Sequence, residues 1–408
     1  MIKNKNIPKI RFKEFEEEWN SKRINEMVSL VTREVPKPTH AYKRLSIRSH
    51  AKGSFHQIVE KPETVAMNKL FVVHENDLVV SITFAWEHAI TVAKLEDDGL
   101  LVSHRFPTYE MNESDPYFIR ELVYQNSFKK KMDLISLGGA GRNRVLNKND
   151  FGQIFEIIPS KLEQSQIGTF FKYIDSLISD SQQKFEKTIN LKKACLEKMF
   201  PKKGEKIPEM RFEGFEGEWE ENVLGEIGNT YTGLSGKIKG DFGHGDAYYV
   251  TYLNIFTNPI AEISDVGRIE IDIKQNMVQY GDVFFTTSSE TPEEVGMSSV
   301  WLYNNENVYL NSFCFGFRPS IKFDHYFLAY FLRTSRVRSE FKLLAQGSTR
   351  FNISKTETMK IKLIFPNELE QQVIGTYFRE LDKLISLYQQ EISKLQNIKK
   401  AFLQSMFV

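Results

Sequence analysis

The stretch LEQSQIGTFFKYIDSLIS, Leu162–Ser179, returns as LEQQVIGTYFRELDKLIS, Leu369–Ser386, 207 residues later. The likeness runs past the quoted segment. Residues 162–200 laid against 369–407 give 21 identities in 39 positions, ending in Met199-Phe200 and Met406-Phe407. A second echo lies upstream, where IPKIRFKEFEEEW from Ile7 and IPEMRFEGFEGEW from Ile207 share 8 of 13 residues. Self-similarity at a fixed offset marks a duplicated structural unit. The 408-residue chain is therefore a tandem repeat of about half its length.

Each repeated segment opens on a helix cap. Ser160-Lys161-Leu162-Glu163 follows Pro159, and Asn367-Glu368-Leu369-Glu370 follows Pro366, both with the spacing of a capping box. Apolar residues then recur in heptads. In the first copy they are Ile167, Phe170, Ile174 and Leu177, a weaker Ser181 and Thr188, then Leu191 and Cys195; in the second, Ile374, Tyr377, Leu381, Leu384, Tyr388, Leu395, Ile398 and Phe402. The pattern predicts one helix of about 40 residues in each repeat, about 60 Å long at 1.5 Å per residue. Such a helix needs a partner of its own length. Two copies of one unit pack best about a two-fold axis, which makes the helices antiparallel. The expected plan is a domain over 1–159, a helix over 160–200, a second domain over 201–366 and a second helix over 367–408.

The globular segments read as α/β (α+β), with small mixed sheets. NDLVVSI and GDVFFTT stand at similar places, as strands, and VGRIEIDI and MKIKLIF alternate as strands do. Helices are expected to open at DPYFIRELVY and DHYFLAYFLR. Each domain closes on a small-residue turn with basic residues, GGAGRNRVL from Gly138 and QGSTRFNI from Gln346. The frame is duplicated while the loops diverge, as two binding sites of different specificity would require.

Composition excludes more than it assigns. With 41% hydrophobic and 26% charged residues, neither disorder nor a membrane protein is favoured. MIKNKNIPKIRF carries no apolar run of a signal peptide. Cys195 and Cys314 are the only cysteines, too few for a disulfide framework or a thiolate zinc site, so a reducing cytoplasm is expected. Net charge is +1. Its distribution is uneven: Arg120–Lys148 carries seven basic residues against two acidic, and Arg333–Lys362 eight against two. A basic stretch at matching places in both halves suggests a phosphate-binding surface.

Three motifs invite other chemistry. DPYF at Asp115 resembles the active-site loop of adenine methyltransferases, but Tyr117 replaces a proline and the second copy reads DHYF; a helix start with Pro116 in first position is the better reading. TGLSGKIKG from Thr232 lacks P-loop spacing. His50 and His56, six residues apart in an expected loop, suit polar contacts better than metal.

The LEQ opening after proline, the IGxFFxxxDxLIS helix, the G…R turn and IPxxRFxxFxxEW together resemble the specificity subunits of type I restriction–modification enzymes. The resemblance covers essentially the whole chain. It implies two target-recognition domains, each reading half of a bipartite double-stranded DNA target, separated by two antiparallel coiled-coil helices that set the spacer. It also implies a non-catalytic subunit. Two methyltransferase subunits would dock on the helices and bring S-adenosylmethionine, and motor-nuclease restriction subunits would complete the complex. Base edges and phosphates are read by basic, amide and hydroxyl side chains on loops. The candidates are Arg44, Arg48, Ser49, His50, Lys52, Arg142 and Arg144 in the first domain. In the second they are Lys237, Lys239, Ser288, Ser289, Thr349 and Arg350. Candidate partner-binding positions on the helices are Ile167, Phe171, Ile174, Ile178, Ile374, Phe378, Leu381 and Ile385. Two other readings stay open: a coiled-coil scaffold presenting protein-binding domains without DNA, and an enzyme whose site the motifs do not betray. The duplicated basic stretches speak against the first, and missing donor-binding and nuclease motifs against the second.

Overall fold

In the computed structural model, residues 6–137 and 144–408 are described. The chain forms two compact units, Met1–Ser181 with Glu391–Val408, and Gln182–Gln390. Both units are α+β. The first has an antiparallel pair, Asn20–Arg23 with Phe155–Ile158, and a four-stranded sheet in the order Val28–Val31, Thr108–Met111, Leu78–Val80, Ile90–Val92. The second repeats both: Glu220–Val223 pairs with Lys362–Phe365, and a four-stranded sheet runs Gly228–Thr232, Cys314–Pro319, Val283–Thr286, Ser298–Val300. The third sheet differs. It has five strands in the first unit (Glu34–Pro36, Lys69–Val72, Leu101–Val102, Tyr42–Ile47, Ser54–Val59) and three in the second (Val266–Ile269, Phe242–Val250, Val308–Leu310).

The long helices run Lys161–Lys198 and Glu368–Ser405. Neither belongs to one unit alone: each unit holds the start of one and the end of the other. In the first unit Phe170 packs edge-on against Phe402, ring centroids 4.9 Å apart, and Lys399 bonds Asp175 at 2.7 Å. In the second, Tyr377 meets Cys195 at 3.5 Å, and Lys192 pairs with Asp382. Residue numbers rise along one helix as they fall along the other, so the pairing is antiparallel in both units. Each contact in one unit is the repeat-shifted copy of a contact in the other.

The helix tips complete the cores. Phe407 stacks on Phe118 at 5.3 Å and lies against Trp19 and Phe171. In the second unit Phe200 takes the same place among Phe327, Trp219 and Phe378. The Met-Phe ending that recurs in the sequence thus serves, each time, the unit built on the other repeat. The upstream echo is anchored there too: Ile10 N–H donates to the Ser405 carbonyl, and Met210 N–H to that of Lys198, both at 2.9 Å.

The repeated LEQ…IG motif is a docking device for the short helices Pro116–Val123 and His325–Phe331. Asp115 caps the first by accepting from Phe118 N–H at 3.0 Å, and Asp324 caps the second from Phe327 N–H at 2.8 Å. Gln164 accepts from the Asp115 amide at 3.2 Å and donates to the Pro159 carbonyl at 3.0 Å. Gln371 does the same for Asp324 and Pro366. Gly168 and Gly375 leave room for the cap, since a Cβ there would stand 2.2 Å from Asp115 Oδ1 and 2.0 Å from Asp324 Oδ1. Gly375→Ala is expected to destabilise the chain by about 1–3 kcal/mol through overpacking. A thermal melt checks it, and an unchanged midpoint would refute the close approach.

Three sequence expectations need correction. The capping boxes are only half formed: Ser160 and Asn367 accept the Glu163 and Glu370 amides, but both carboxylates bind arginine instead. Arg11 grips Glu163 at 2.7 and 2.8 Å, and Arg211 grips Glu370 at 2.7 Å twice, bonds that raise both guanidinium pKa values. Leu191 and Leu384 are exposed rather than in the seam. An α-helix drifts about 20° per heptad against a strict seven-residue repeat, which turns such positions outward. Finally, Ile167, Phe171, Ile174, Ile374, Phe378 and Leu381 are buried in the cores of their own units, so they cannot face a partner subunit. Ile178 packs against the first core, and Ile385 is half-buried in a cleft beside Phe185 and Tyr330. Their heptad spacing marks the intramolecular seam.

Candidate nucleic-acid interface

Five of the seven first-unit candidates gather on one hairpin, Tyr42–Ile47 with Ser54–Val59. Arg44 lies on the first strand; Arg48, Ser49, His50 and Lys52 form the tip. The tip is tied down. His50 and Ala51 adopt left-handed φ of 63° and 51°, and their amides donate to the Glu87 and His88 carbonyls at 2.7 and 2.8 Å. Ser49 bonds the Glu87 carboxylate, and Arg48 bonds the Ser54 carbonyl over the Phe55 ring. Lys52 is exposed and makes no ion pair among the described residues. His56 is on a strand rather than in a loop, and its Nε2 lies 2.8 Å from buried Asp97.

Arg142 lies outside the described residues. Arg144 pairs with Asp133 at 2.7 Å, bonds the Asp133 and Ser136 carbonyls, and lies over the Trp86 ring. It braces its own turn instead of reaching out.

In the second unit Lys237 is held by Asp272 at 2.7 Å, a bond that pulls the Asp272 carboxyl down to about 2. Lys239 is exposed without such a partner among the described residues. Ser288 and Ser289, 6% and 7% exposed, are too buried to read bases; their strand pairs with Phe351–Asn352. That pairing brings them beside Thr349 and Arg350, which are exposed on a turn closed by Gln346 and Asn352. Gly347 permits the turn at φ 137°, with Arg350 O where a Cβ would be. Of the second-unit candidates, Lys239, Thr349 and Arg350 remain open to solvent.

Several arginines of the matching basic stretches are held by the fold itself, while Lys130, Lys148 and Arg350 stay exposed. Arg333 donates to the Ile255, Phe256, Asn258 and Ser298 carbonyls at 2.7–3.1 Å, closing the end of helix Tyr252–Thr257. Arg338 bonds carbonyls of 293–296 and Arg336 those of Lys202 and Glu205. Burial pushes the Arg333 and Arg338 guanidinium groups down to about 10. In the first unit Arg120 pairs with Glu121 and Asp175, and Lys131 with Glu156. Counting charge along the chain missed these partners because most lie far away in sequence. Arg333→Ala is expected to cost at least about 3 kcal/mol, since several carbonyls lose one charged donor. Chemical denaturation checks this; a loss under about 1 kcal/mol would show that water replaces the guanidinium.

Sequence reasoning also overlooked a cleft of about 400 Å³ over the five-stranded sheet. Arg44, Ser46, His104 and Arg105 line its polar side, above Leu70 and Phe106. Only Arg44 had a signal in the sequence, because the Ser103–Phe106 segment reaches the strand through folding alone. Among the described residues, no group of three or more His, Cys, Asp or Glu could hold a metal ion. No helix among them is long and apolar enough to cross a membrane.

Residues 216–397 match the family described as "Type I restriction modification DNA specificity domain". Two curated relatives from Methanocaldococcus jannaschii carry the same description in their names. The putative type I restriction enzyme MjaX specificity subunit is 25% identical over 201 residues, 47% of this chain and 45% of that protein. The MjaVIII specificity subunit is 22% identical over 375 residues, 82% of this chain and 78% of that one. Less than half of the chain, residues 216–397, thus carries the type I restriction modification DNA specificity domain, and both relatives are specificity subunits by name. The match to the MjaX subunit spans about half that relative's length. The fold agrees: the type I system S subunit from M. genitalium superposes with a TM-score of 0.55 at 14% identity, over 98% of this chain and 99% of that one. The matched domain lies in the second repeat, and the first repeat carries the same motifs and the same docking contacts.

Proposed function

We propose that the chain is the non-catalytic DNA-recognition subunit of a type I restriction–modification complex. One observation carries the reading: two units share the same frame, contact for contact, while the third sheet and the exposed loops differ. A common frame with divergent surfaces suits two half-sites of one bipartite double-stranded target. The paired helices set the spacer between half-sites and support two methyltransferase subunits, which bring S-adenosylmethionine; motor-nuclease subunits add cleavage. The complex works in the cytoplasm. The surface that meets the methyltransferases lies outside the buried seam residues. This chain's own part is to hold the reading side chains rigidly, since prepaid order favours specific contacts.

The test is exchange. Replacing residues 20–159 by the recognition domain of a related subunit, in cells that also make the methyltransferase, is expected to change one half of the methylated sequence and keep the other. Mapping methylated sites reads the outcome. A swap that alters both halves would show that the two units do not read independently, and labelled methyl transfer by this chain alone would end the non-catalytic reading.

A further inference from the structure

The geometry points to Arg44 as a base-reading side chain, held by Gln57 and Ser46 to contact a guanine in the half-site of the first unit. The inference rests on the recognition reading above and adds a residue and a base to it.

Arg44 and Gln57 stand directly opposite each other on the hairpin strands. Arg44 Nε donates to Gln57 Oε1 at 2.8 Å, and Ser46 Oγ donates to the same oxygen at 3.1 Å. Because an arginine Nε can only donate, the amide oxygen must face it, which turns the Gln57 NH2 away. The Arg44 terminal nitrogens have no partner among the described residues. The platform therefore presents donors only: a guanidinium fork beside an amide NH2. Inward, the same strand is fixed by Leu45, which is 1% exposed and packs with Val79 and Val102. The rim opposite carries His104 and Arg105, and no carboxylate lines the cleft among the described residues.

Donor-only chemistry selects its target. In the major groove guanine offers two acceptors, N7 and O6, at the spacing of an arginine fork, whereas adenine and cytosine each present a donor. The other exposed candidates lack this bracing. Lys52 and Arg350 have no side-chain anchor, and Arg48 is already engaged by a carbonyl and a ring. A fork fixed at Nε loses little freedom on binding, so the contact discriminates rather than merely attracts. Its location agrees with this role, since it sits on the sheet that differs between the two units.

The experiment maps methylated sites in cells carrying the assembled complex with Arg44→Ala, Arg44→Lys or Gln57→Ala. Arg44→Ala is expected to relax one G·C position in one half-site, discrimination there falling roughly 5- to 150-fold, while the other half-site is kept. Arg44→Lys restores binding strength without restoring discrimination, because an ammonium has no fork. Gln57→Ala relaxes the same position less. Should Arg44→Ala bind all sequences more weakly with the methylated sequence unchanged, Arg44 is a phosphate contact and the proposal fails. It fails equally if nothing changes, or if Gln57→Ala relaxes a different position. A wild-type complex that methylates no defined sequence would instead overturn the recognition reading itself.

Discussion

Residues 1–203 produced without the second repeat are expected to form a homodimer with a mass close to the full chain's 47.5 kDa. The first unit is incomplete without Glu391–Val408, because Phe407 fills the space among Trp19, Phe118 and Phe171. The shortened chain still carries the repeat copy of that segment, residues 184–201, with Phe200 in place of Phe407 and Lys192 in place of Lys399. Two copies can therefore complete each other, each lending its helix tip. One contact is poorer: Phe170 would meet Cys195 where it now meets Phe402. Replacing a packed ring by a thiol leaves a void worth on the order of 2 kcal/mol at each of two sites. Cys195→Phe should then tighten the dimer about 30-fold or more per filled void, at 1.4 kcal/mol per factor of ten. Light scattering against concentration measures both effects. A monomer that stays folded and soluble at every concentration would mean that the unit does not need its borrowed tip. If the dimer docks methyltransferase subunits, its target should be symmetric, with the first half-site written twice.

The second large effect concerns length. Seven residues inserted after Gln182 lengthen the first helix by about 10 Å at 1.5 Å per residue. Alone, this insertion is expected to destabilise the chain. Asp175–Lys399 lies on one side of it and Lys192–Asp382 on the other, and an unlengthened second helix cannot satisfy both. A matching insertion after Gln389 restores both pairings. With both helices lengthened, the spacer in the methylated sequence should grow by about three base pairs, given one DNA charge per about 1.7 Å of axis and two per base pair. The half-site sequences should stay as they were, because no reading loop moves within its own unit. A doubly lengthened, active complex with an unchanged spacer would refute the helices as the ruler.

Much of the fold is legible in the order of residues alone. The duplication, both long helices and the Asp115 and Asp324 helix starts follow from local pattern: identity at a fixed offset, heptads, and an aspartate ahead of a short apolar run. The candidate site is less legible. Arg333, Arg338 and Arg144 look like free cations in the sequence, yet the fold turns each onto a backbone carbonyl or a carboxylate. Ser288 and Ser289 look like loop hydroxyls and are strand residues under cover. The cleft at Arg44 needs Ser103–Phe106 to arrive from about sixty residues away.

The sequence by itself determined that there are two units of one kind, where their helices begin, and that those helices would pair antiparallel. Periodicity and capping act within a few residues, so the chain order is enough to read them. Only the tertiary structure decided that each unit is finished by the tip of the other repeat's helix, which of two equal-length partners each seam residue meets, and which arginines are left to face solvent. Those outcomes depend on burial and on partners distant along the chain, where one buried carboxylate or carbonyl settles the fate of a charge that looks free in the sequence.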